Sequence, residues 1–585
     1  MKPSNCLVGP LLTDLYQLTM AYGYWKKGKD NDQAVFDLFF RKNPFGGEFT
    51  IFAGLEEVVR SLNAFKFTDA DIAYLQDGVI RRKEELQFEF EAGLRHGFIR
   101  KTDKGYEELR YDPWGGEEWA PKEYPDHALH IPGPMRNCEQ PFFDWLKDVD
   151  CSKIKIYAVP EGTMVFPRIP LIRVEGPLAV AQMQETAFLN LTGFPSLMAT
   201  NAARFRLAAG EGKGLIEFGL RRAQGPDGGV SASRYSYIGG FNATSNTKAG
   251  QLFGLPTRGT MAHSYVSSFS GLSEIADPFL VGADGKKADF VGLVLQYRRQ
   301  LGYLNTNEGE LAAFISYAQA FPEGFLALVD TYNTLKSGVP NFICVALALI
   351  QTGHKPVGIR LDSGDLSYFS KEARKLLRKT ADRFSLESFG SLSIVASNDI
   401  DEAILFSLGQ QGHEIDVFGI GTHLVTCRAQ PALGCVYKLV SINGQPRMKL
   451  SDEAEKMTIP GRKEVYRLVG TNRHPLVDLM MQAGQPAPQI GERILCRHPV
   501  SEAKRVYVVP KEVVTLHKCV WDGRQVYAFP PLDAIRQYVQ DQIAAMRPDH
   551  MRAVNPTPYK VSVSEELYRS MHELWMQEAP ISEIA

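Results

Sequence analysis

Short apolar and β-branched runs, each ending in polar or glycine residues, recur between residues 214 and 426 and alternate with amphipathic helical stretches. The runs are GLIEFGL (214–220), GFLALVDTY (324–332), VGIRLDSGD (357–365), SIVASND (393–399) and DVFGIGT (416–422). Strands that alternate with helices predict a parallel sheet, because a crossover between parallel strands needs room for a helix. We therefore expect an α/β fold centred on this region.

The two flanks have a different rhythm. Residues 1–76 predict a helix, a strand and a second helix, whereas residues 430–530 predict short strands joined by turns. The stretch 101–130 is rich in charge and lacks a helical period, which indicates a surface excursion with solvated charges.

Charge and cysteine content exclude several classes of protein. The chain of 585 residues has 65 Lys and Arg against 67 Asp and Glu, so no global field attracts nucleic acid or an anionic membrane. Its 8 cysteines form no CxxC pair, which argues against a zinc site and a disulfide scaffold. The N-terminus lacks an apolar signal block, and the apolar stretches fall short of a span of ~20 residues, so we expect a cytosolic protein without membrane segments.

Polar residues end several of the predicted strands. Asp330 ends one run, Arg360 with Asp362 ends the next, and two later runs end in SerAsnAsp at 397–399 and GlyIleGlyThr at 419–422. In barrels and open α/β sheets the working residues collect at the carboxyl ends of the strands. Loops are commonly polar, but four such ends in succession indicate a functional site.

The run VGIRLDSGDL places a positive and a negative charge on one side of a strand. Alternation sends Arg360 and Asp362 to one face and the apolar residues beside them to the other. One interpretation is a structural salt bridge, because buried charges need partners. In the other, Arg360 binds a substrate carboxylate, and Asp362 accepts from sugar hydroxyls or helps to hold magnesium.

Four further segments are candidates for anion binding or catalysis. Ser397 with Asn398, and Gly421 with Thr422, lie in small donor-rich turns between strand and helix, where they either cradle a phosphate or serve only as caps. Arg221 precedes the glycine-rich AQGPDGG, which we interpret as a flexible loop able to cover a site. The segment RGTMAHSYV contributes His263, and neutral imidazole acts as nucleophile or base near pH 7.

With these residues in place, the sequence resembles the nicotinate phosphoribosyltransferases of the long animal and bacterial type. The resemblance runs from about residue 9 to 76 and from about 150 to 440, with weaker likeness further on, whereas the stretch at about 77–138 looks longer than the usual connection. It rests on an ordered set of motifs that includes LLTDLYQLTMAYGYW, FFRKNPFGGEF, EFGLRRAQGPDGG, GTMAHSYV, VDTYNT, GIRLDSGDL, VASNDIDE and FGIGTHLVT.

The resemblance implies an irregular parallel α/β barrel of the type II phosphoribosyltransferase kind, beside an α/β domain built from both chain ends. We divide the chain into residues 1–177 with a charged insertion at about 77–138, a barrel at 178–440, and a segment 441–585 that returns to the flanking domain. The implied reaction converts nicotinate and 5-phosphoribosyl 1-diphosphate (PRPP) to nicotinate mononucleotide and pyrophosphate, coupled to ATP hydrolysis, as the first step from nicotinate to NAD. Magnesium and a homodimer with sites at the interface are also implied.

The resemblance also implies a role for each matching residue. His263 is the phosphorylatable histidine, and the nicotinate site takes Tyr16, Thr260 and Arg360. The residues assigned to PRPP are Thr422, Gly421, Ser397, Asn398, Asp362 and Arg221. Of these, Asp362 binds the ribose hydroxyls, and Arg221 contacts phosphate or pyrophosphate. The metal ligands stay unassigned.

Three other functions stay open at this point. A related phosphoribosyltransferase acting on nicotinamide or quinolinate could place an arginine similarly. A catalytically silent relative could serve as a binding scaffold, although His263, Arg360, Asp362 and Thr422 are intact. The phosphate-binding turns alone also permit a generic barrel enzyme that acts on a sugar phosphate.

Overall fold

A computed structural model of the chain describes residues 4–111, 117–125, 129–450 and 458–578. Parts of the predicted insertion and of the segment 441–585 therefore lie outside the described residues. Among the residues described, one helical segment, Thr334–Gln351, is long and apolar enough to cross a membrane, but 78% of it is buried in the protein core.

The N-terminal part contains the helix, strand and helix expected from its periodicity, and then a long run of further elements. A single 3-10 turn, Pro44–Gly46, interrupts it. The helices and strands are α1 (Leu15–Lys26), β1 (Gln33–Phe40), β2 (Thr50–Ile51), α2 (Leu55–Ala64), α3 (Asp69–Asp77), β3 (Val79–Arg81), α4 (Lys83–Arg95), β4 (Ile99–Thr102), β5 (Gly105–Tyr111), β6 (Glu117–Lys122), β7 (Leu129–Ile131), α5 (Gln140–Asp148), β8 (Lys155–Ala158), β9 (Met164–Val165), β10 (Ile172–Pro177), α6 (Leu178–Met183) and α7 (Glu185–Ala209).

All five apolar runs of the central part contain strands, as predicted. The elements are β11 (Gly214–Glu217), α8 (Gly225–Ile238), β12 (Ala243–Thr244), α9 (Thr247–Phe253), α10 (His263–Ser267), β13 (Phe279–Val281), β14 (Lys287–Asp289), α11 (Phe290–Leu301), α12 (Glu308–Ala320), β15 (Leu326–Leu328), α13 (Val339–Gln351), β16 (Gly358–Leu361), α14 (Leu366–Phe384), β17 (Ser393–Ala396), α15 (Glu402–Gln411), β18 (Val417–Ile420) and α16 (Thr422–Val425). Shorter turns are the 3-10 segments Leu220–Arg222, Leu272–Glu274 and Glu387–Ser391 and the π turn Thr334–Gly338.

The C-terminal part consists mostly of short strands, again as predicted. Its elements are β19 (Cys435–Ile442), β20 (Gln445–Pro446), β21 (Lys463–Val469), β22 (Pro475–Gln482), β23 (Ile494–Arg497), β24 (Arg505–Val508), β25 (Glu512–Thr515), β26 (Lys518–Asp522), α17 (Leu532–Ala545), β27 (Val561–Val563) and α18 (Glu565–Glu578).

Six parallel strands form the central sheet, in the order β12-β11-β18-β17-β16-β15. The segment 256–263 spans the gap between its two edge strands. At one end Thr257 makes a parallel bridge to Thr244 in β12, and at the other His263 contacts Thr331 just beyond β15. A seventh, non-strand segment thus completes the ring, which gives the irregular barrel that the fold class predicts.

The flanking domain interleaves both ends of the chain. Its antiparallel sheet has the order β20-β19-β1-β10-β8-β26, so three strands from the N-terminal part lie at its centre, with strands from the C-terminal part on both sides. A second sheet, β24-β23-β27-β22-β21-β25, comes from the C-terminal part alone. The shared sheet agrees with the expectation that the flanking domain uses both chain ends.

The glycine-rich segment after Arg221 is not a flexible loop, and this prediction was wrong. Residues Gly225–Ile238 form α8, which has proline in its first turn. Proline is favourable there because its fixed φ suits a helix and its missing N–H would have no intrahelical partner. A Cβ on Gly229 would lie 2.7 Å from Leu220 Cδ1, so glycine at this position permits close packing of α8.

A buried ion pair joins the two sheets of the flanking domain. Lys463 at the start of β21 lies 2.8 Å from Asp37 in the middle of β1, and their side chains are 1% and 2% exposed. The lysine also donates to the carbonyls of Ile459 and Gly461. Burial lowers the pKa of Lys463, and Asp37 opposes that effect.

Removing this lysine should destabilise the protein strongly. Lys463→Met leaves Asp37 buried without its cation, which typically costs about 3 to 5 kcal/mol. The double variant Asp37→Leu/Lys463→Met should regain most of the loss, because an apolar pair needs no charge compensation. Thermal unfolding measures both. A Lys463→Met protein that melts with the wild type would show that the pair carries no such constraint.

Candidate active site

The carboxyl ends of the parallel strands and the segment 256–263 enclose a cavity of about 440 Å³. This volume suits a small molecule. Three arginines and two aspartates are among its lining residues. The arginines can bind anions, and the aspartates can accept hydrogen bonds from a ligand. Eight of the ten predicted site residues line it, namely Arg221, Thr260, Arg360, Asp362, Ser397, Asn398, Gly421 and Thr422.

Asp330 joins two neighbouring strand ends. Its Oδ2 accepts a hydrogen bond of 2.9 Å from the amide of Asp362 and one of 2.5 Å from the hydroxyl of Ser363. Asp362 in turn accepts at Oδ1 from the Ser397 hydroxyl, at 2.5 Å. Carboxylates and hydroxyls thereby connect the ends of β15, β16 and β17, which fixes the polar floor of the cavity.

His263 lies at the rim of this cavity as the first residue of α10. Its Nδ1 is 3.1 Å from Thr331 Oγ1, and its Nε2 is 3.7 Å from Asp362 Oδ2. The imidazole side chain is 44% exposed, so a soluble co-substrate can reach it.

Arg360 and Thr260 each have a buried polar atom without a hydrogen-bond partner among the described residues. Arg360 Nη2 donates to the carbonyl of Met261 at 2.9 Å, which directs the guanidinium across the barrel end. Within the described part of the chain, neither Arg360 Nε nor Thr260 Oγ1 has a hydrogen-bond partner, although both atoms are buried. Such atoms are costly unless a ligand satisfies them.

Electrostatics at Arg360 favour an anionic ligand. Burial lowers the pKa of Arg360, Asp362 and Asp330 oppose this effect, and Arg221 adds to it. The residues beside it in the strand, Ile359 and Leu361, are fully buried, as the predicted alternation requires. A carboxylate placed on the guanidinium would offset the cost of burying this charge.

The two predicted anion cradles differ in structure. Thr422 begins α16, whose four residues are too few for a strong dipole, so donors there act as individual groups. The turn 397–399 does not start a helix, because α15 begins at Glu402 and is capped by Asp401, whose side chain accepts from the amide of Ile404. Ser397 and Asn398 therefore lie in a turn between strand and helix, as predicted, but not at the helix N-terminus itself, and both line the cavity.

Tyr16 does not reach the cavity within one chain. It lies on α1 and is 47% exposed, and burial, followed by Glu185, raises its pKa. Glu185 starts α7, and 16 residues later Asn201 in the same helix holds the carbonyls of His423 and Leu424 beside the cavity. The helical rise over that distance is about 24 Å.

Sequence reasoning missed the residues that position the site. Thr331 contacts His263, and Ser363 contacts Asp330, yet neither was predicted to have a role. Thr331 lies in the motif VDTYNT, directly after a predicted strand, so its position alone could have indicated a site residue. No sequence pattern indicated its partner.

Comparisons with known proteins agree with this geometry. Family models match residues 11–95 and 125–192 (nicotinate phosphoribosyltransferase N-terminal domain), 351–510 (nicotinate phosphoribosyltransferase family) and 462–571 (its C-terminal domain). The nicotinate phosphoribosyltransferase 2 of Arabidopsis thaliana is 51% identical over 595 residues, covering 100% of this chain and 97% of its own. The nicotinate phosphoribosyltransferase of Homo sapiens is 42% identical, covering 98% and 97%.

A solved structure shows the same architecture at high similarity. The crystal structure of human nicotinic acid phosphoribosyltransferase has a TM-score of 0.77 and 40% identity, covering 96% of this chain and 99% of its own. The chain belongs to the nicotinate phosphoribosyltransferase family. Membership confirms the resemblance, the fold class and the prediction of a phosphoribosyl-transferring enzyme in NAD biosynthesis. The N-terminal family match is interrupted at residues 96–124, inside the predicted insertion.

Proposed function

We propose that this nicotinate phosphoribosyltransferase couples formation of nicotinate mononucleotide and pyrophosphate to ATP hydrolysis through a phosphohistidine at His263. The observation that carries the proposal is the meeting of three features in one barrel end: the buried, unsatisfied donors of Arg360 and Thr260 among the described residues, the donor-rich strand ends, and an accessible imidazole beside Asp362.

Nicotinate fits the donors of Arg360 and Thr260. The planar guanidinium offers a fork to the carboxylate, and the Thr260 hydroxyl lies in the same cavity. An aromatic ring such as that of Tyr16 can stack on the pyridine ring. Holding the carboxylate fixes the orientation of the ring nitrogen that attacks the sugar.

PRPP fits the remaining strand ends. We assign its 5-phosphate to Gly421 and Thr422 with Ser397 and Asn398 beside them, and its ribose hydroxyls to Asp362. The ring nitrogen of nicotinate bonds to the anomeric carbon while the bond from that carbon to pyrophosphate breaks. Positive charge develops on the sugar as the leaving group departs, so fixed charges on both sides stabilise the transition state. Arg221, on the lining, would contact the departing pyrophosphate.

The position of His263 supports the coupling to ATP. An imidazole nitrogen takes the γ-phosphoryl group and ADP leaves, and water later hydrolyses the phosphohistidine and restores the ring. Phosphorylation adds negative charge and strong acceptors at the cavity rim, next to Asp362 and Thr331. That change favours one substrate-bound state of the site over another, and its hydrolysis resets the balance.

Magnesium fits the carboxylates at the strand ends. Across the residues that the structure describes, no group of three or more His, Cys, Asp or Glu side chains could hold a metal ion alone. Magnesium, however, commonly uses one or two carboxylates and completes its shell with water and substrate phosphates. Asp330, whose buried Oδ1 has no hydrogen-bond partner among those residues, and Asp362 would hold it there. When bound, it would neutralise phosphate charge.

A homodimer with sites at the interface accounts for two features of the flanking domain. Tyr16 is exposed and far from the cavity of its own chain. A second cavity, of about 610 Å³, carries one acidic residue, Glu48, against a basic lining of Arg41, Lys42, Arg168, Lys504, Arg505 and Lys560. Burial lowers the pKa of His498 in this lining, and Arg168 and Lys504 lower it further. If this surface faces the barrel end of a partner subunit, its positive charge would attract the phosphates of a substrate bound there.

We further propose a cytosolic location. All eight cysteines are free in the structure, and four of them are fully buried, which suits a reducing compartment.

Replacing His263 tests the coupling. His263→Ala should abolish ATP hydrolysis in step with product, because no nitrogen accepts the phosphoryl group, while slower uncoupled transfer remains. Labelled ATP, PRPP and nicotinate allow acid-labile label on the protein and mononucleotide to be measured together. The exposed His96→Ala serves as control and should label normally. Stoichiometric ATP use by His263→Ala would refute the phosphohistidine.

Replacing Arg360 tests the carboxylate assignment. Arg360→Lys loses the bidentate fork and should weaken nicotinate binding by ~1 to 3 kcal/mol while changing the KM for PRPP much less. Steady-state kinetics with nicotinate, nicotinamide and quinolinate measures this and also separates the three candidate substrates. The exposed Arg378→Lys is the matched control. An unchanged KM for nicotinate in Arg360→Lys would remove the assignment.

Mixing two inactive variants tests the interface. Tyr16→Ala and Arg360→Ala each impair every site of a homodimer, but in a mixed dimer built across the interface one site carries both native residues. Refolding or coexpressing them in equal amounts should restore about a quarter of the wild-type sites. Each variant alone provides the baseline. If mixed dimers form, as shown by differently tagged subunits, and activity stays at baseline, Tyr16 acts within its own chain or not at all.

A further inference from the structure

One buried carboxyl group lies directly behind the site and has no part in the chemistry described above. Glu310 sits in the first turn of α12 and is fully buried. Its Oε2 accepts from the Ser337 hydroxyl at 2.5 Å and from the Asn341 side chain at 3.0 Å. Its Oε1 is buried, and no described residue forms a hydrogen bond with it. An orphaned buried carboxyl oxygen is costly, which argues for a role beyond packing.

The contacts of Glu310 hold the chain segment that follows β15. Ser337 belongs to the π turn Thr334–Gly338, and its Oγ also accepts from the amide of Asn307, the N-cap of α12. A Cβ on Gly338 would lie 1.8 Å from the carbonyl oxygen of Val329, so the turn folds back onto the end of β15. Residues 330–338 are thereby closed into a compact loop, the 330–338 loop, fastened to α12.

The same helix also holds the histidine. Tyr265, two residues after His263 in α10, hydrogen-bonds through its hydroxyl to Ser316 of α12 at 3.1 Å, and its ring packs edge-on against Tyr317. Helix α12 therefore fixes both partners of the contact between His263 and Thr331. Glu310 secures one of them and Ser316 the other.

We propose that Glu310 is a positioning residue for the phosphohistidine step, which holds Thr331 and Asp330 in place for His263 by fastening the 330–338 loop to α12. This inference rests on the proposed function, because it concerns the geometry of His263. Glu310 itself touches neither substrate nor the reacting atoms.

The proton on Glu310 links this fastening to pH. Burial, and to a smaller extent the charge on Asp330, raise the pKa of Glu310 to about 7, while the hydrogen bonds from Ser337 and Asn341 oppose that rise. Asp330 is the charged group that acts on it. Other titratable groups on the elements packed against α12 are His263 and Tyr265 on α10, Glu274, Lys336, and Cys344 on α13. Burial raises the pKa of Cys344 to about 12, so it carries no charge near neutral pH. Because burial is the main cause of this shift, an ionised Glu310 favours opening of the 330–338 loop to water, so the loop should hold Thr331 against His263 less well above neutral pH.

The stability consequence has a definite sign. The unfolded chain ionises Glu310 near pH 4.5, whereas the folded protein keeps the proton until about 7. The folded state therefore binds more protons in that window, and the wild type loses stability as pH rises through it. Glu310→Gln keeps an acceptor for Ser337 and cannot ionise, so its melting temperature relative to the wild type should rise between these pH values and then level off.

The decisive experiment follows phosphorylated protein against pH. Full-length wild type, Glu310→Gln and the exposed neighbour Glu308→Gln are incubated with labelled ATP, and acid-labile label on the protein is measured. The ratio of Glu310→Gln to wild type should be near one below about pH 6 and rise at least about threefold above about pH 8. The ratio for Glu308→Gln should stay constant, since only a buried carboxyl beside Asp330 produces the change.

Other outcomes separate the two proposals. A flat ratio for Glu310→Gln in the presence of normal wild-type labelling overturns the role of Glu310 and leaves the phosphohistidine intact. Absence of label in the wild type at every pH overturns both. If Glu310→Gln does not fold, Ser337→Ala, which removes the hydroxyl donor from Glu310, replaces it and should lower labelling below that of Glu308→Gln at neutral pH; equal labelling would overturn the proposal.

Discussion

Asp330 accepts hydrogen bonds from the Asp362 amide and the Ser363 hydroxyl, and these bonds join the ends of β15 and β16. The contacts of Asp362 with His263 and Ser397 depend on that junction. Asp362 can face His263 only while its backbone is held there, and Ser397 then approaches its second oxygen. The carboxylate of Asp330 thus helps to set the spacing of the ends of β15, β16 and β17. Buried polar groups there have to keep their hydrogen bonds, so the strand ends have little room to move.

The second constraint is the burial of the positive charge of Arg360 in the barrel. Arg360 is embedded between fully buried apolar neighbours, and burial disfavours its charged form. The structure leaves part of this guanidinium unsatisfied among the described residues and surrounds it with carboxylates at a distance. In the proposed function, the substrate carboxylate would pair with this guanidinium, and the cost of burying an unpaired cation would then favour an anionic ring over a neutral one.

Much of the fold and of the site followed from local patterns. Apolar runs with polar ends located five parallel strands, and alternation in VGIRLDSGDL placed Arg360 inward, because both signals depend only on neighbouring residues. The order of motifs then identified the family. Contacts between segments that are far apart in the sequence could not be predicted from such local patterns. The glycines after Arg221 indicated a loop, but they allow α8 to approach Leu220 closely, and that helix was not predicted. Glu310 and Thr331 likewise owe their positions to packing around α12.

The interleaved sheet of the flanking domain imposes an order on synthesis of the protein. Strand β8 pairs with β26, and Ala158 lies opposite Lys518, so the partner strand leaves the ribosome about 360 residues later. At about 5 to 20 residues per second, the free edge of β8 waits roughly 20 to 70 s for its neighbour. An unpaired strand edge recruits other chains during such an interval. We therefore expect this edge of β8 to stay open to pairing with other chains until β26 has been synthesised.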